Sequence, residues 1–501
     1  MRASLLIALL CLSGAAAAQI VETQAGKVEG SSQGGVLSFL GIPYAEPPEG
    51  RLRWQAPVPR KKWRGTLAAQ SYGPACPQTH NPERPLAETA EDCLNLNVWT
   101  RGADERLRPV MVWIHGGGFR AGSNQVPGDV LAQQDAVVVS INYRLGPLGF
   151  FAHPALNSKS ANYGLLDMVL ALEWVRDNIA AFGGNPHNVT IFGVSAGGMA
   201  VNLLMTAPQA QGLFHRAIAQ SGYAGWALPR TKAAPANAPL EMDMSPAQSA
   251  EGLASGLVAR LTDRKQTRRT LLKLDAQALA DAVEGFQLPI VDGITIPEEP
   301  GVLFLRGEQA DVPYLTGGNS FEGSVMPASG VTLEAFEQSL GSHGAALREA
   351  YAQEFALSDE YGLTTAFGDN RYLLSARLLA GAMRAKRSDA YLYYIALSPA
   401  QRQPEWPGTP HGYDAYVFWQ GDQDANQSIR NLAIRLRSYW LEFARRGRPK
   451  AAGLPDWFAY HRESDYWLVF SDRDEIQEGV LASKLDVLTA RYTERIAGAL
   501  P

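Results

Sequence analysis

Gly193-Val194-Ser195-Ala196-Gly197 sets a serine between small residues. The apolar run Val189-Thr190-Ile191-Phe192 precedes it and a helical pattern opens near Met199, so the serine falls on a strand-to-helix turn. A turn that sharp leaves no room for side chains against the neighbouring strand and helix, which accounts for the flanking glycines. It also lifts the hydroxyl clear of the backbone, where it can attack a carbonyl carbon once a base takes its proton. The pattern alone is not selective. Gly30-Ser31-Ser32-Gln33-Gly34 matches too, but it sits between short N-terminal strands and reads as a plain turn.

Serine attack needs donors for the negative charge that builds on the carbonyl oxygen. Trp113-Ile114-His115-Gly116-Gly117-Gly118-Phe119 offers them, because three glycines after a buried run let backbone N–H groups converge on one point. Gly117 and Gly118, with the N–H of Ala196, are the predicted oxyanion donors. On a serine turn of this kind the partners follow in the order serine, acid, histidine. Of the eight histidines, His215, His343, His411 and His461 lie beyond Ser195. His215 comes before any good acid, His343 lies between helical stretches, and His461 stands among Tyr460, Arg462 and Glu463 as on a solvated hairpin. His411, on the turn-rich Pro410-His411-Gly412-Tyr413, is the candidate base. Glu322, in Gly317-Gly318-Asn319-Ser320-Phe321-Glu322-Gly323 directly after a strand ending at Thr316, is the candidate acid. Asp292 is the rival, but it precedes that strand and reads as an Asp-Gly turn.

These groups are far apart in the chain, so a scaffold must gather them. Val110-Met111-Val112-Trp113-Ile114 and Ala136-Val137-Val138-Val139-Ser140-Ile141 are near-continuous apolar runs, suited to strands buried on both faces. Residues 165–179 carry apolar residues at helical spacing, with Gly183-Gly184 as a stop. Further strands at Ala217-Ile218-Ala219-Gln220, Pro313-Tyr314-Leu315-Thr316 and residues 391–397 alternate with helical stretches. This predicts an α/β fold, a parallel or mixed sheet covered on both faces, preceded by short strands over 21–44. The Pro-, Ala- and Met-rich stretch 228–245 reads as a long surface loop, with a lid over the site as its other use. Tyr223, Trp226, Tyr413, Tyr416, Phe418 and Trp419 are candidates for an apolar substrate cleft, core packing being the competing role for at least half.

The 501 residues carry 45 Lys plus Arg against 50 Asp plus Glu, with 46% hydrophobic and 19% charged residues. That balance excludes a disordered or fibrous chain and does not suit a nucleic-acid binder or a polybasic membrane-surface protein. Arg2, an apolar core over 5–12 and Ala15-Ala16-Ala17-Ala18 read as a secretory signal peptide over 1–18. The remainder, 19–501, is then a single domain, periplasmic or secreted. No later run approaches the roughly 20 residues of a membrane span. Two cysteines, Cys76 and Cys93, follow the signal peptide; they either pair in an oxidising compartment or remain free thiols. No metal-ligand spacing is present, and no metal or cofactor is expected.

Together these segments resemble the type-B carboxylesterase/lipase family, the cholinesterase-like branch of the α/β-hydrolase fold. Glu91-Asp92-Cys93-Leu94-Asn95-Leu96-Asn97-Val98 is similar to the family's second signature. Phe39-Leu40-Gly41-Ile42-Pro43-Tyr44-Ala45, Asn142-Tyr143-Arg144-Leu145-Gly146 and Phe182-Gly183-Gly184-Asn185-Pro186 also match, so the resemblance covers about 28–473. It implies a large, mostly parallel central sheet and hydrolysis of a small-molecule ester through Ser195, His411 and Glu322 by way of an acyl-enzyme. It also implies a Cys76–Cys93 disulfide and structural ion pairs Arg53–Glu91 and Arg144–Asp167. The chain departs from the family at Val194, where a glutamate is usual, which implies weaker electrostatic support for a protonated histidine. The segment between Cys76 and Cys93 also lacks the tryptophan with which choline-binding relatives make a cation–π contact. Amidases, carbamate hydrolases and acyltransferases share this machinery. A non-catalytic cholinesterase-like binding domain is the alternative of a different class; such relatives typically lack a triad member, and all three are present here.

Overall fold

A strand covered on both faces must be apolar at consecutive positions, and residues 110–114 are. In the computed structural model Val110, Val112 and Ile114 enter one apolar cluster while Met111 and Trp113 enter a second. The structure describes residues 19–79, 88–234, 249–397 and 407–500. The candidate signal peptide lies outside these residues, as does 235–245 of the candidate lid.

The strands are β1 (Gln19–Glu22), β2 (Lys27–Gln33), β3 (Val36–Pro43), β4 (Thr66–Ala68), β5 (Asn95–Thr100), β6 (Arg108–Ile114) and β7 (Val137–Ile141). They continue as β8 (Gly184–Val194), β9 (Arg216–Gln220), β10 (Tyr314–Asn319), β11 (Ala390–Ile395), β12 (Tyr466–Phe470) and β13 (Glu475–Glu478). All join one sheet in the order β1-β2-β3-β5-β7-β6-β8-β9-β10-β11-β12-β13, with β4 on β2. Along that order every pairing from β7 to β12 is parallel and every pairing from β1 to β7 antiparallel, while β4 lies parallel to β2. The expected α/β-hydrolase architecture, a large mostly parallel sheet with antiparallel N-terminal strands, is the observed one. The helices Tyr163–Asn178 and Ala196–Thr206 cover one face. On the other, the helix Gln427–Arg446 contributes Leu432, Leu436, Trp440 and Phe443, three or four residues apart.

Three expectations change. Gly30 through Gln33 belong to β2 and not to a turn; the turn is confined to Gly34 and Gly35. A Cβ on Gly30 would lie 2.6 Å from the Ser38 carbonyl oxygen, so this glycine serves close strand approach. β10 runs past Thr316 to Asn319, because Gly317 passes so near Tyr393 that a Cβ would meet its carbonyl oxygen at 2.1 Å. The stretch beginning at 228 is not surface throughout: Leu228 is buried, and so is Arg230, paired with Glu298.

The N-terminal half is clamped by groups the family resemblance implied. Cys76 and Cys93 are bonded across a sequence separation of 17. Arg53 donates to Glu91, and the buried Arg144 grips Asp167 with Nε at 2.8 Å and Nη2 at 2.7 Å. Replacing both cysteines by alanine should lower the unfolding free energy by about 3 kcal/mol, the chain-entropy value for a loop of this length. Urea denaturation measures it; an unchanged midpoint would mean that other contacts alone hold the loop.

Candidate active site

β8 ends at Val194 and a helix begins at Ala196, so Ser195 has to turn the chain alone. It does so at φ 58° and ψ −121°, a left-handed conformation that few non-glycine residues adopt. A Cβ on Gly193 would lie 2.5 Å from the Ile114 carbonyl oxygen, and one on Gly197 2.1 Å from it. The turn is therefore pressed onto the end of β6. The Ser195 N–H donates to the Gln220 carbonyl at 2.8 Å, and the Ser195 carbonyl accepts from Met199 at 2.8 Å.

β6 leads directly into the glycine loop. Gly117 and Gly118 hold φ of 111° and 62°, and a Cβ would strike the Ala121 carbonyl oxygen (2.2 Å) and the Phe286 ring (2.4 Å) respectively. Gly116 packs on Ser195, with 3.2 Å from its own ideal Cβ position to the Ser195 Cβ. The N–H groups of Gly117 and Gly118 have no acceptor among the described residues. That of Ala196 opens a helix, where N–H groups lack intrahelical acceptors. His115 braces the loop: its ring stacks on Tyr143 at 4.4 Å, and Tyr143 Oη donates to the His115 carbonyl at 2.8 Å. Burial pulls the His115 pKa down to about 4, so the ring is neutral at pH 7.

Glu322 starts a short 3-10 turn three residues past β10 and is 1% exposed. Its Oε1 accepts from Ser221 Oγ (2.6 Å), the Asn319 N–H (2.7 Å) and Asn319 Nδ2 (3.1 Å). Its Oε2 faces His411 Nδ1 in a hydrogen bond. The two loops are stitched together by Phe321 N–H to the Thr409 carbonyl (2.8 Å) and His411 N–H to Ser324 Oγ (2.8 Å). Tyr372 lies against the imidazole, ring centroids 4.4 Å apart. The glutamate thus occupies Nδ1, while Nε2 is buried and makes no hydrogen bond, to Ser195 or to any other described group. Such bonds often tighten only with substrate present. A serine on a strained turn, a glycine loop with N–H groups that meet no acceptor among the described residues and a carboxylate-oriented histidine lie past the C-terminal ends of β8, β6 and β11, an arrangement that can support acyl-transfer chemistry.

The carboxylesterase family model matches residues 17–488. This chain belongs to the carboxylesterase family. It is 34% identical over 486 residues to the para-nitrobenzyl esterase of Bacillus subtilis (strain 168), covering 92% of this chain and 96% of that protein. It is also 34% identical to the fumonisin B1 esterase of Sphingopyxis macrogoltabida, over 88% of this chain and 85% of that one. A solved structure of PNB esterase superposes with a TM-score of 0.80 at 33% identity, covering 94% of this chain and 99% of that one. The protein is therefore a carboxylic ester hydrolase that uses the family's serine machinery.

In this carboxylesterase the usual glutamate position is filled by Val194, packed into the second apolar cluster. Glu322 is nonetheless not the only carboxylate near the histidine. Asp414, three residues beyond His411, is fully buried and accepts from Tyr393 Oη (2.8 Å) and the Ala415 N–H (2.9 Å). Burial, then the charge of Glu322, raises its pKa above the usual carboxylate range, while His411 opposes the shift. Nothing in the sequence marked it beyond its closeness to His411.

The rival acid Asp292 is scaffold: its Oδ1 accepts the N–H groups of Ile294, Thr295 and Ile296, and its Oδ2 that of Ala161. Of the aromatic candidates, Trp226 lines a cavity beside the site, and Tyr223 packs at 5.7 Å on Tyr372. Phe418 is core, wedged between Phe192 and Trp419 in the second cluster. Tyr413 packs on the same cluster, its ring tilted against Tyr416 with centroids 5.3 Å apart. Aromatic residues at helical spacing look alike in a core and in a cleft, which is why these two read as cleft residues.

His115 gives a pH test. Unfolded, its imidazole titrates near 6.5; folded, near 4, so between those values only the unfolded chain gains the proton. Its contribution to stability is whole above pH 6.5 and falls by about 3 kcal/mol on descending to pH 4. The loss of urea midpoint between pH 7 and pH 4 should accordingly be smaller in His115→Gln than in the wild type. Equal losses would contradict the buried, neutral ring.

Proposed function

We propose that Ser195, His411 and Glu322 form the catalytic triad of a serine esterase. The Ser195 oxygen attacks the ester carbonyl carbon as its proton passes to His411 Nε2. Glu322 holds Nδ1 protonated and balances the imidazolium that forms. The N–H groups of Gly117, Gly118 and Ala196 receive the oxyanion, and each such donor is worth about 2.7–4 kcal/mol of transition-state stabilisation. As the tetrahedral intermediate collapses, the alcohol leaves with the proton from His411. Water, deprotonated by the same nitrogen, then releases the acid and restores the serine.

The observation that carries this reading is the hydrogen bond between His411 Nδ1 and Glu322, whose other oxygen is held by Ser221 and Asn319. That bond fixes the tautomer with Nε2 as the basic nitrogen. The para-nitrobenzyl esterase relative makes aryl and arylmethyl esters the first probes to try. With 4-nitrophenyl butyrate, Ser195→Ala should reduce kcat by about 10⁴-fold or more at unchanged melting temperature. Retention of most activity by that variant would remove Ser195 from the mechanism.

A further inference from the structure

Six arginines are buried among the described residues, and five of them meet a carboxylate. Arg53 faces Glu91, Arg108 faces Asp104 and Asp135, Arg144 faces Asp167, Arg230 faces Glu298, and Arg437 faces Asp422. Arg371 is the exception. It is 2% exposed, and its Nε and Nη2 have no hydrogen-bond partner. Asp369, two residues away, accepts instead from Tyr351 Oη at 2.9 Å. The guanidinium is flanked by rings, 4.1 Å from Trp226, 4.2 Å from Tyr223 and 5.2 Å from Phe286. Ring faces offset part of the penalty of burying a cation, but they leave Nε and Nη2 without acceptors.

Arg371 is placed there by structure that costs free energy to build. It lies in a π-helical turn, Asp369–Leu373, of the kind common at functional sites. The preceding Gly368 approaches the Glu322 loop so closely that a Cβ would lie 2.2 Å from the Gly323 nitrogen. The same turn sets Tyr372 against His411. Arg371, Trp226 and Phe286 form one wall of a cavity of about 400 Å³ whose other walls include Phe150, Leu253 and Leu288. Phe286 rests on Gly118, and the Gln287 N–H donates to the Gly118 carbonyl at 2.9 Å, so this wall touches the glycine loop, while the turn that carries Arg371 reaches the histidine through Tyr372. The other charged residues on the cavity wall, Arg260 and Glu284, are exposed.

An apolar pocket with one buried fork of N–H donors is built to select a planar anion, because a guanidinium pairs bidentately with a carboxylate. We propose that Arg371 binds a free carboxylate on the substrate, so that the enzyme's preferred substrates are anionic esters such as half-esters of dicarboxylic acids. This rests on the esterase reading above. A site that holds a partner for a charged group rejects the neutral analogue far more strongly than an apolar pocket rejects a change of size.

The test compares kcat/KM at pH 7.5 for ethyl hydrogen glutarate, with the carboxylate on the acyl side, and 4-butyryloxybutanoate, with it on the alcohol side. Each is set against its carboxamide isostere. For at least one pair the wild type should favour the carboxylate tenfold or more. Arg371→Met should cut that ratio at least tenfold, and Arg371→Lys should retain more of it than Arg371→Met. Should Arg371→Met fail to fold, inhibition of the wild type decides: glutarate should compete with 4-nitrophenyl butyrate where glutaramide does not. Ratios near or below one for both pairs, an unchanged ratio in Arg371→Met, or equal inhibition by glutarate and glutaramide would overturn the proposal. Failure of the esterase reading looks different, since no ester of either charge would then be hydrolysed.

Discussion

The whole site depends on one backbone constraint, the left-handed turn at Ser195. An L-residue at φ 58° stores strain, and it persists here because the surroundings leave no alternative. Gly193 and Gly197 both abut the Ile114 carbonyl, so the Ser195 turn and the strand feeding the glycine loop are pressed together without an intervening side chain. The backbone of the Ser195 turn and the glycine loop are thereby registered to one another by backbone contact alone. Side-chain rotamers, which relax more easily than packed backbone, have no part in setting that distance.

His411 and Glu322 are registered by a different device. Glu322 and His411 sit on loops at the ends of β10 and β11, which are adjacent and parallel, and the loops are joined by backbone and hydroxyl hydrogen bonds. Ser221, at the end of β9, holds the far side of the carboxylate. β8, β9, β10 and β11 are neighbours in the sheet, so four consecutive strand ends each contribute to one site. This follows the general behaviour of parallel sheets, where loops at the carboxyl ends of the strands gather on one edge. The π-helical turn closes the arrangement by laying Tyr372 over the imidazole.

What could be read beforehand was whatever close packing had written into residue type. Glycines at 193, 197, 116 and 117 are demanded by backbone approach, Gly118 by its positive φ and the Phe286 ring, and consecutive apolar residues in β6 and β7 by double-sided burial, so both were legible. The Glu322 segment was legible because it follows a recognisable strand, although Gly317 and Gly318 disguised that strand's true end. Asp414 and Arg371 were not legible. Their significance lies in what surrounds them after folding, a phenol and a second carboxylate in one case, four ring faces in the other. Phe418 shows the opposite error, a residue of suitable type that the helix Tyr413–Gln420 turns into the core.

The central claim, that a strained serine, two glycine N–H groups and a glutamate-held histidine converge on one reacting carbonyl, is tested most directly by the crystal structure of an alkyl fluorophosphonate adduct. The account predicts phosphorus bonded to Ser195 Oγ. It also predicts the phosphoryl oxygen about 3 Å from the nitrogens of Gly117, Gly118 and Ala196, with His411 Nε2 turned to the serine oxygen. An adduct on another side chain, or a phosphoryl oxygen directed away from those three nitrogens, would contradict it.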